Sequence, residues 1–334
     1  MPRHKREPGL LPRPLAILGA LALTGATGVA VRLLPAGAAP PPKPPPVARH
    51  SPTASSPVAS PAAAFSGFVG FVDIAREPGF DLPKESRRTG VRRYALGHLV
   101  AGGDGCAPKW AGTLDPGRNP VANGIGRLRA LGGDAAPVFG GPGGRELAVT
   151  CVRPGGLATA YRRVVGAFDA GSIDFEVRDS KDRAAVLRRA RAIQAMQHER
   201  RLRVSFTLPL KSYGLGAGDV AMLRATRRAG AEVGTVNLLA AIEPRAASDG
   251  RLHRVAAAVR AARDQIARAQ GLADPDEAWR RVALTPVLAR EGDLSELDAR
   301  KLAAYAARHG LAWLSLRGVA PPPRVSRILW RAPP

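Results

Sequence analysis

A strand-like segment near the middle of the chain has an ionisable side chain at every second position: Asp174, Glu176 and Arg178. Side chains alternate between the two faces of a β-strand, so all three are expected on one face. Paired carboxylates on one face are suited to general acid–base chemistry. The third position holds an arginine, which stays protonated near neutral pH and cannot act as a useful proton donor. The adjacent Asp179 would face the other side unless a bulge intervened.

Other reactive arrangements are missing from the sequence. No His, Cys and Asp residues stand at metal-ligand spacing, and no serine-nucleophile motif or phosphate-binding loop is present. We therefore expect neither a metal nor a cofactor. His98 stands alone in an apolar segment, which predicts a core residue.

Short apolar runs alternate with helix-like segments after residue 66. Strands are predicted over eight ranges: 67–74, 94–101, 135–141, 172–177, 203–210, 233–241, 281–288 and 311–317. Helices are predicted over 121–131, 157–168, 183–200, 218–229, 252–269 and 295–309. This alternation is typical of an α/β fold, the (β/α)8 TIM barrel, whose functional residues lie at the C-terminal ends of the strands. A doubly wound sheet would need a glycine-rich loop after the first strand, and residues 74–78 do not supply one.

Several predicted strand ends resemble the bacterial chitinases of glycoside hydrolase family 18. The matching stretches occur in the order of the family: 71–73, 102–110, 139–141, 173–177, 204–209, 235–237 and 310–315. The resemblance implies a (β/α)8 barrel and substrate-assisted hydrolysis of chitin. In the family, a glutamate at the end of a D-x-D-x-E motif protonates the glycosidic oxygen, and the middle aspartate orients the acetamido group of the substrate.

The positions that this resemblance would make catalytic are altered. Asp174 matches the first acid, Glu176 replaces the middle aspartate, and Arg178 replaces the catalytic glutamate. Other positions differ as well: Val138 for a serine, Ala241-Ile242-Glu243 for the M-D-Y run that holds the acetamido group, Arg290-Glu291 for an asparagine-bearing loop, and Arg317 for the tryptophan that floors the sugar pocket. We expect Asp174 and Glu176 to form a buried ion network with Arg178, because inward-facing charges must be paired.

Four residues are candidates for contacting a glycan: Asp73, Trp110, Asn237 and Glu243. For Asp73 and Asn237 the alternative is a structural role, in which their side chains form hydrogen bonds within the barrel mouth. Trp110 follows a polar, glycine-rich loop, which favours an exposed platform for a sugar. Glu243 is a candidate substitute acid, although a nearby cation would lower its pKa, opposite to what a general acid requires.

The first 64 residues differ in composition from the rest. Arg3, Lys5 and Arg6 precede an uncharged, mostly apolar run over 15–31, and small residues follow at 36–39. This order is typical of a secretory signal, and the run is also near the lower length limit for crossing a bilayer. Residues 1–39 are therefore predicted to be a signal peptide or a membrane anchor, and either alternative places the protein outside the cell or at its surface. Residues 40–64, rich in Pro, Ala and Ser, are predicted to be a disordered linker to the barrel domain at 65–334.

The chain is strongly basic, with a formal net charge of +23. Such a surface attracts anionic polymers. The arginines are dispersed as on solvated helix faces, and nucleic-acid binding is not expected. Cys106 and Cys151 are the only cysteines, and in an exported chain an even pair favours one disulfide, with two buried thiols as the alternative.

Three functions are compatible with these features. The missing acid favours an exported, monomeric, chitinase-like protein that has lost catalysis and binds a polysaccharide such as chitin or a wall glycan. An active glycosidase that uses Glu176 or Glu243 as a substituted acid is the second hypothesis. A cell-surface binder of anionic polymers, motivated by the excess of arginine, is the third.

Overall fold

The computed structural model describes residues 67–244 and 250–331. The predicted signal or anchor (1–39) and the predicted linker (40–64) lie outside these residues, so both stay predictions. Within the described ranges, no helix combines the length and the apolar character needed to cross a membrane.

Eight parallel strands form a barrel, paired in the order β1 (Val69–Asp73), β2 (Arg93–Ala101), β4 (Asp134–Gly140), β5 (Ser172–Glu176), β6 (Arg203–Pro209), β7 (Thr235–Ala241), β8 (Val282–Leu288) and β9 (Arg317–Gly318). A short additional strand, β3 (Pro108–Trp110), pairs antiparallel with β2 and was not predicted. The barrel architecture predicted from the alternation of apolar runs is confirmed.

The last barrel strand is irregular, although it was predicted over 311–317. Regular pairing with β8 is limited to the two residues of β9. Leu314 nevertheless closes the barrel, because it forms parallel bridges with Phe68 on one side and with Leu284 on the other. The backbone of Val69 donates to the Leu314 carbonyl at 2.8 Å, which fixes the junction with β1.

Helices cover the outside of the barrel: α1 (Leu82–Thr89), α2 (Pro120–Asn123), α3 (Ile125–Ala130), α4 (Leu147–Thr150), α5 (Gly156–Ala167), α6 (Arg183–Glu199), α7 (Ala217–Arg228), α8 (Arg251–Gln270), α9 (Glu296–His309) and α10 (Pro323–Trp330). Ser295 begins α9 with a capping box, in which its side chain and that of Asp298 each bond the other's backbone N–H. The single helix predicted over 121–131 is divided at Gly124, a residue type that stabilises helices poorly.

Apolar side chains on the outer face of the strands pack beneath these helices. Phe139, Phe175 and Phe206 lie on successive strands, with ring centroids 5.4 and 5.7 Å apart, and all three are buried. Because Phe175 faces outward, the period of two along β5 directs its neighbours Asp174 and Glu176 into the barrel. The outer core therefore fixes the orientation of the two inner carboxylates.

Cys106 and Cys151 are joined by a disulfide, so the first of the two alternatives for this pair is correct. The bond links the loop after β2 to the end of α4. Beside it, Thr150 Oγ1 donates to the Gly105 carbonyl at 2.6 Å. Both contacts hold the loop that follows β2 against the helical layer.

Candidate functional site at the barrel mouth

Asp174 lies at one end of a hydrogen-bond network that crosses four strands. Its carboxylate accepts from Ser205 Oγ at 2.5 Å and from Thr207 Oγ1 at 2.8 Å. Thr207 Oγ1 accepts from Asn237 Nδ2 at 3.1 Å, and Asn237 Oδ1 accepts from Thr285 Oγ1 at 2.7 Å. Apart from Ser205, all of these side chains are buried. The structure thus places Asn237 inside the barrel, as a link between strands.

The environment of Asp174 moves its titration towards neutral pH. Burial raises the pKa of Asp174 to about 6, and the negative charge of Glu176 adds to the increase. Hydrogen bonds from Ser205 and Thr207 and the charge of Arg317 act in the opposite direction. A carboxyl with this pKa has the acidity of a proton donor, but both of its oxygens are occupied and the residue is only 5% exposed.

Glu176 lies two residues further along β5, in an ion cluster with His98 and Arg317. Its Oε2 is 3.2 Å from Arg317 Nη2 and 2.9 Å from His98 Nε2. A carboxylate can only accept hydrogen bonds, so His98 donates through Nε2. Arg317 Nη1 is 3.3 Å from that same nitrogen, but two donors cannot bond each other, so Glu176 is the acceptor that unites the cluster. We refer to His98, Glu176 and Arg317 as the mouth ion cluster.

The groups around Glu176 keep it ionised. Burial by itself would raise the pKa of Glu176, but the hydrogen bond from His98 and the positive charges of Arg317 and Arg178 lower it below the usual value. Burial lowers the pKa of Arg317, and Glu176 opposes this change. The Arg317 guanidinium also lies over the ring of Phe71, which is a cation–π contact. The cluster therefore consists of a buried ion pair between Glu176 and Arg317 that packs on the ring of Phe71.

His98 reaches the mouth because β2 contains a bulge. Between Leu96 and Leu99, two residues of β2 oppose Val138 alone on β4. A bulge re-aims the side chain that follows, and it moves His98 away from the face occupied by Leu96. Gly141 leaves the space for the imidazole, because a Cβ there would lie 2.2 Å from His98 Cδ2. His98 is buried, as expected, but it also belongs to the candidate site, which sequence reasoning missed.

Arg178 makes no direct contact with the mouth ion cluster, although its charge contributes to the lowered pKa of Glu176. Its side chain is exposed, and it forms no hydrogen bond or ion pair with the residues that the structure describes. The expectation that Arg178 would pair with Asp174 and Glu176 is therefore wrong: Arg317 is the arginine that pairs with Glu176, and Asp174 is bonded by Ser205 and Thr207. The reason is position: Glu176 is the last paired residue of β5, and Arg178 lies beyond the end of the strand.

Trp110 is not exposed at the mouth. β3 folds back onto β2, where Trp110 lies opposite Leu99, and its exposed fraction is 0%. Its ring centroid lies 6.2 Å from that of Phe168. Alternation along β3 buries Pro108 and Trp110 and leaves Lys109 partly exposed. The prediction of an exposed sugar platform at Trp110 is therefore wrong.

The remaining candidate carboxylates lie nearer the surface and are engaged with neighbours. Asp73 ends β1, accepts from the backbone of Ala75 at 3.2 Å and pairs with Arg76 at 3.6 Å. Glu243 follows β7, is exposed and forms an ion pair with Arg254. The hydrogen bond from Arg254 lowers the pKa of Glu243, which makes this group a poorer general acid.

No three His, Cys, Asp or Glu side chains in residues 67–244 and 250–331 are grouped so that they could hold a metal ion.

Comparison with known proteins finds the fold among solved chitinases. No protein-family model and no curated protein matches the chain. The catalytic domain of a hyperthermophilic chitinase from Pyrococcus furiosus is similar at 23% identity and a TM-score of 0.69, over 82% of this chain and 97% of that domain. A glycoside hydrolase family 18 chitinase from Pseudoalteromonas aurantia matches at 10% identity and a TM-score of 0.57, over 79% and 97%. The spore cortex-lytic enzyme of Bacillus megaterium matches at 10% and 0.55, over 82% and 75%. At these identities the likeness establishes a chitinase-type barrel.

Proposed function

We propose that this chain is an exported, chitinase-like protein that binds a polysaccharide and does not hydrolyse it. The observation that carries the proposal is the mouth ion cluster, in which Glu176 is buried, ionised and paired with Arg317. Export rests on the signal-like composition of residues 1–39. The chain would then act outside the cell or at its surface.

Hydrolysis of a glycoside requires a protonated carboxyl beside the leaving oxygen. Glu176 does not meet this requirement, because its pKa is lowered and its carboxylate is 4% exposed. Arg178 stands where the resemblance would place the donor, and an arginine holds its proton too tightly to transfer it. The two positions best suited to catalysis therefore contain a carboxylate held in an ion pair, Glu176, and a permanently charged guanidinium, Arg178.

Neighbouring carboxylates do not replace the missing donor. Asp174 has the acidity for proton donation but is buried, and both of its oxygens accept hydrogen bonds. Asp179 is exposed and accepts from the Lys181 backbone at 2.8 Å. Glu243 is held by Arg254. These contacts argue against the active-glycosidase hypothesis.

A chitinase first binds a polysaccharide and then cleaves it, and a mouth with this ion pair can still perform the binding step. A catalytic-site mutant of the Pyrococcus furiosus chitinase domain was solved with chito-oligosaccharides, and its fold is similar to that of this chain at a TM-score of 0.70. Arg178 is exposed at the end of β5 and offers guanidinium donors to sugar hydroxyl and carbonyl oxygens. We therefore place the glycan across the mouth, against Arg178.

Two assays of the purified chain test this proposal. Incubation with chitin oligosaccharides and with bacterial wall glycans should release no reducing ends above background. Retention on chitin or wall-glycan beads should persist in high salt, since charge-driven binding weakens with salt. Arg178→Gln should reduce retention, whereas Arg191→Gln, which alters an exposed arginine on α6, should not.

Two results would contradict the proposal. Turnover by the unmodified chain that is lost in Glu176→Gln, with circular dichroism showing the variant folded, would identify an active glycosidase with a substituted acid. Failure of the unmodified chain to bind chitin and wall glycans, at low as well as high salt, would remove the polysaccharide as its ligand.

A further inference from the structure

Helix α10 carries a row of arginines on one face. Arg324 and Arg327 are three residues apart, which places them on the same side of the helix, and Arg331 follows four residues later as its C-cap. All three are exposed, while Val325 and Leu329 are buried against the domain. The helix therefore presents a cationic face outward.

This face borders a cleft between α10 and α1. The cleft has a volume of about 260 Å³ and is lined by Arg88, Thr89, Pro323, Arg327, Trp330 and Arg331. The guanidinium carbon of Arg88 lies over the Trp330 ring, 5.4 Å from its centroid. Arginines from two different helices thus converge on one tryptophan, and we refer to this feature as the arginine cleft.

The positive charge of the arginine cleft is only partly compensated. Arg88 pairs with Glu85 at 2.6 Å. Arg327 bonds only the Pro323 carbonyl of its own helix, at 3.4 Å, and Arg331 has no carboxylate partner among the described residues. Like charges four residues apart destabilise a helix, so the arrangement favours binding of an anion.

Helix dipoles favour the positions of the cleft arginines but supply no counter-ion. A cation near a helix C-terminus is favourable. Arg88 lies in the last turn of α1, Arg327 lies in the last turn of α10, and Arg331 is the C-cap of α10. The two helix ends thus bring three arginines to one cleft, where Glu85 is the one carboxylate that pairs with them among the described residues.

We propose that the arginine cleft binds the phosphoryl group of a phosphodiester at the cell surface. A guanidinium presents N–H groups in a fixed fork that matches two phosphate oxygens, and several arginines around one cleft suit a tetrahedral anion. The partly buried Trp330 offers an apolar contact to the group attached to the phosphate. α1 and α10 run back from the mouth, so their last turns lie at the other end of the barrel, and this site is independent of the proposed glycan site.

Titration of the full chain with glycerophosphoglycerol, a soluble phosphodiester, at low ionic strength tests the proposal. The readout is the NMR signal of the Trp330 indole N–H, assigned with Trp330→Phe. A saturable shift is expected, and R327Q/R331Q should weaken the affinity at least about tenfold, because two charge-assisted contacts are lost. The matched control is R224Q/R228Q, which removes the same charge from exposed arginines four residues apart on α7 and should leave the affinity unchanged.

The absence of a saturable Trp330 shift would overturn the proposal. So would an equal loss of affinity in both double variants, since that result would mean a diffuse effect of net charge. Circular dichroism checks that R327Q/R331Q is folded, and Arg331→Gln alone serves if it is not. Competition by poly(glycerol phosphate) or by phosphatidylglycerol vesicles identifies a wall polymer or a lipid as the source, and competition by neither would overturn the assignment to a surface phosphodiester.

Discussion

The guanidinium of Arg317 lies 3.2 Å from the carboxylate of Glu176, with the two side chains only 13% and 4% exposed. This contact joins the last barrel strand to β5 across the mouth. It also covers the ring of Phe71 with a cation, where the resemblance to chitinases leads one to expect an aromatic floor for a sugar. The mouth is therefore organised around an ion pair between these two side chains.

Glu176→Gln should destabilise the protein strongly. The substitution removes the carboxylate and leaves Arg317 and His98 without their shared acceptor, and breaking a buried ion pair in this way costs about 3–5 kcal/mol. Urea unfolding measures the change. Glu199→Gln is the control, because it breaks the Arg162–Glu199 pair, whose side chains are 40% and 52% exposed, and should cost about 1 kcal/mol or less. Equal losses in the two variants would mean that Glu176 is not held as the structure indicates.

Asp174 should make stability depend on pH between about 4 and 6. Its pKa is near 3.9 in an unfolded chain and is raised to about 6 in the fold, so the folded state binds more protons in this window. The free energy of unfolding should then fall as pH rises through it, by up to about 3 kcal/mol.

Asp174→Asn removes this titration and supplies the test. Urea unfolding at a series of pH values should show the fall in the unmodified chain and a flatter profile in the variant. The lowered pKa of Glu176 acts in the opposite sense, removing stability below its usual range, and it is present in both proteins. Identical profiles for the two proteins would contradict the assignment to Asp174.

The alternation of strand-like and helix-like segments predicted the barrel. The two-residue repeat of side-chain direction along β5 predicted that Asp174 and Glu176 point inward, because their outward-facing neighbour Phe175 is apolar. The same reasoning failed at His98, where a bulge inverts the alternation. Gly97, a glycine inside a strand, was the available signal for that bulge. Trp110 was misplaced because its polar loop suggested exposure, whereas the unpredicted β3 folds it inward.

The partner of Glu176 was beyond the reach of local sequence. Arg178 and Arg317 were both recognised as replacements, but choosing between them depends on where β5 ends and on which strand closes the barrel. Those are long-range properties of the fold. The two-residue repeat along β5 by itself favoured Arg178, which is nearer to Glu176 in the sequence.

Arg178→Glu by itself should not restore hydrolysis of chitin oligosaccharides. The new glutamate would supply a carboxyl at the end of β5, but Glu176 would still be bound by Arg317 and His98 and could not orient a substrate. Release of reducing ends measures the outcome, with Arg178→Gln as the control for loss of the cation. Turnover by Arg178→Glu that is absent from Arg178→Gln would show that the mouth ion cluster does not block catalysis.

Removal of the disulfide should destabilise the chain substantially. The bond between Cys106 and Cys151 closes a loop of 45 residues. In the chain-entropy model a loop of that length contributes about 4 kcal/mol. Urea unfolding of C106S/C151S should show a loss of this order, and addition of a reductant should lower the stability of the unmodified chain but not that of the variant. A loss below about 1 kcal/mol would contradict the model for this loop.

Gly141→Ala should disturb the mouth ion cluster by displacing His98. Gly141 has a φ of +84°, and an added Cβ would lie 2.2 Å from His98 Cδ2, so the imidazole must move away from Glu176. The left-handed backbone and the overlap together should cost about 2 kcal/mol or more in urea unfolding. Gly143→Ala is the matched control, because nothing lies within 4 Å of a Cβ at that position. The NMR signals of the His98 ring should change in the first variant and not in the second. Unchanged His98 signals in Gly141→Ala would mean that this glycine does not fix the position of His98 against Glu176.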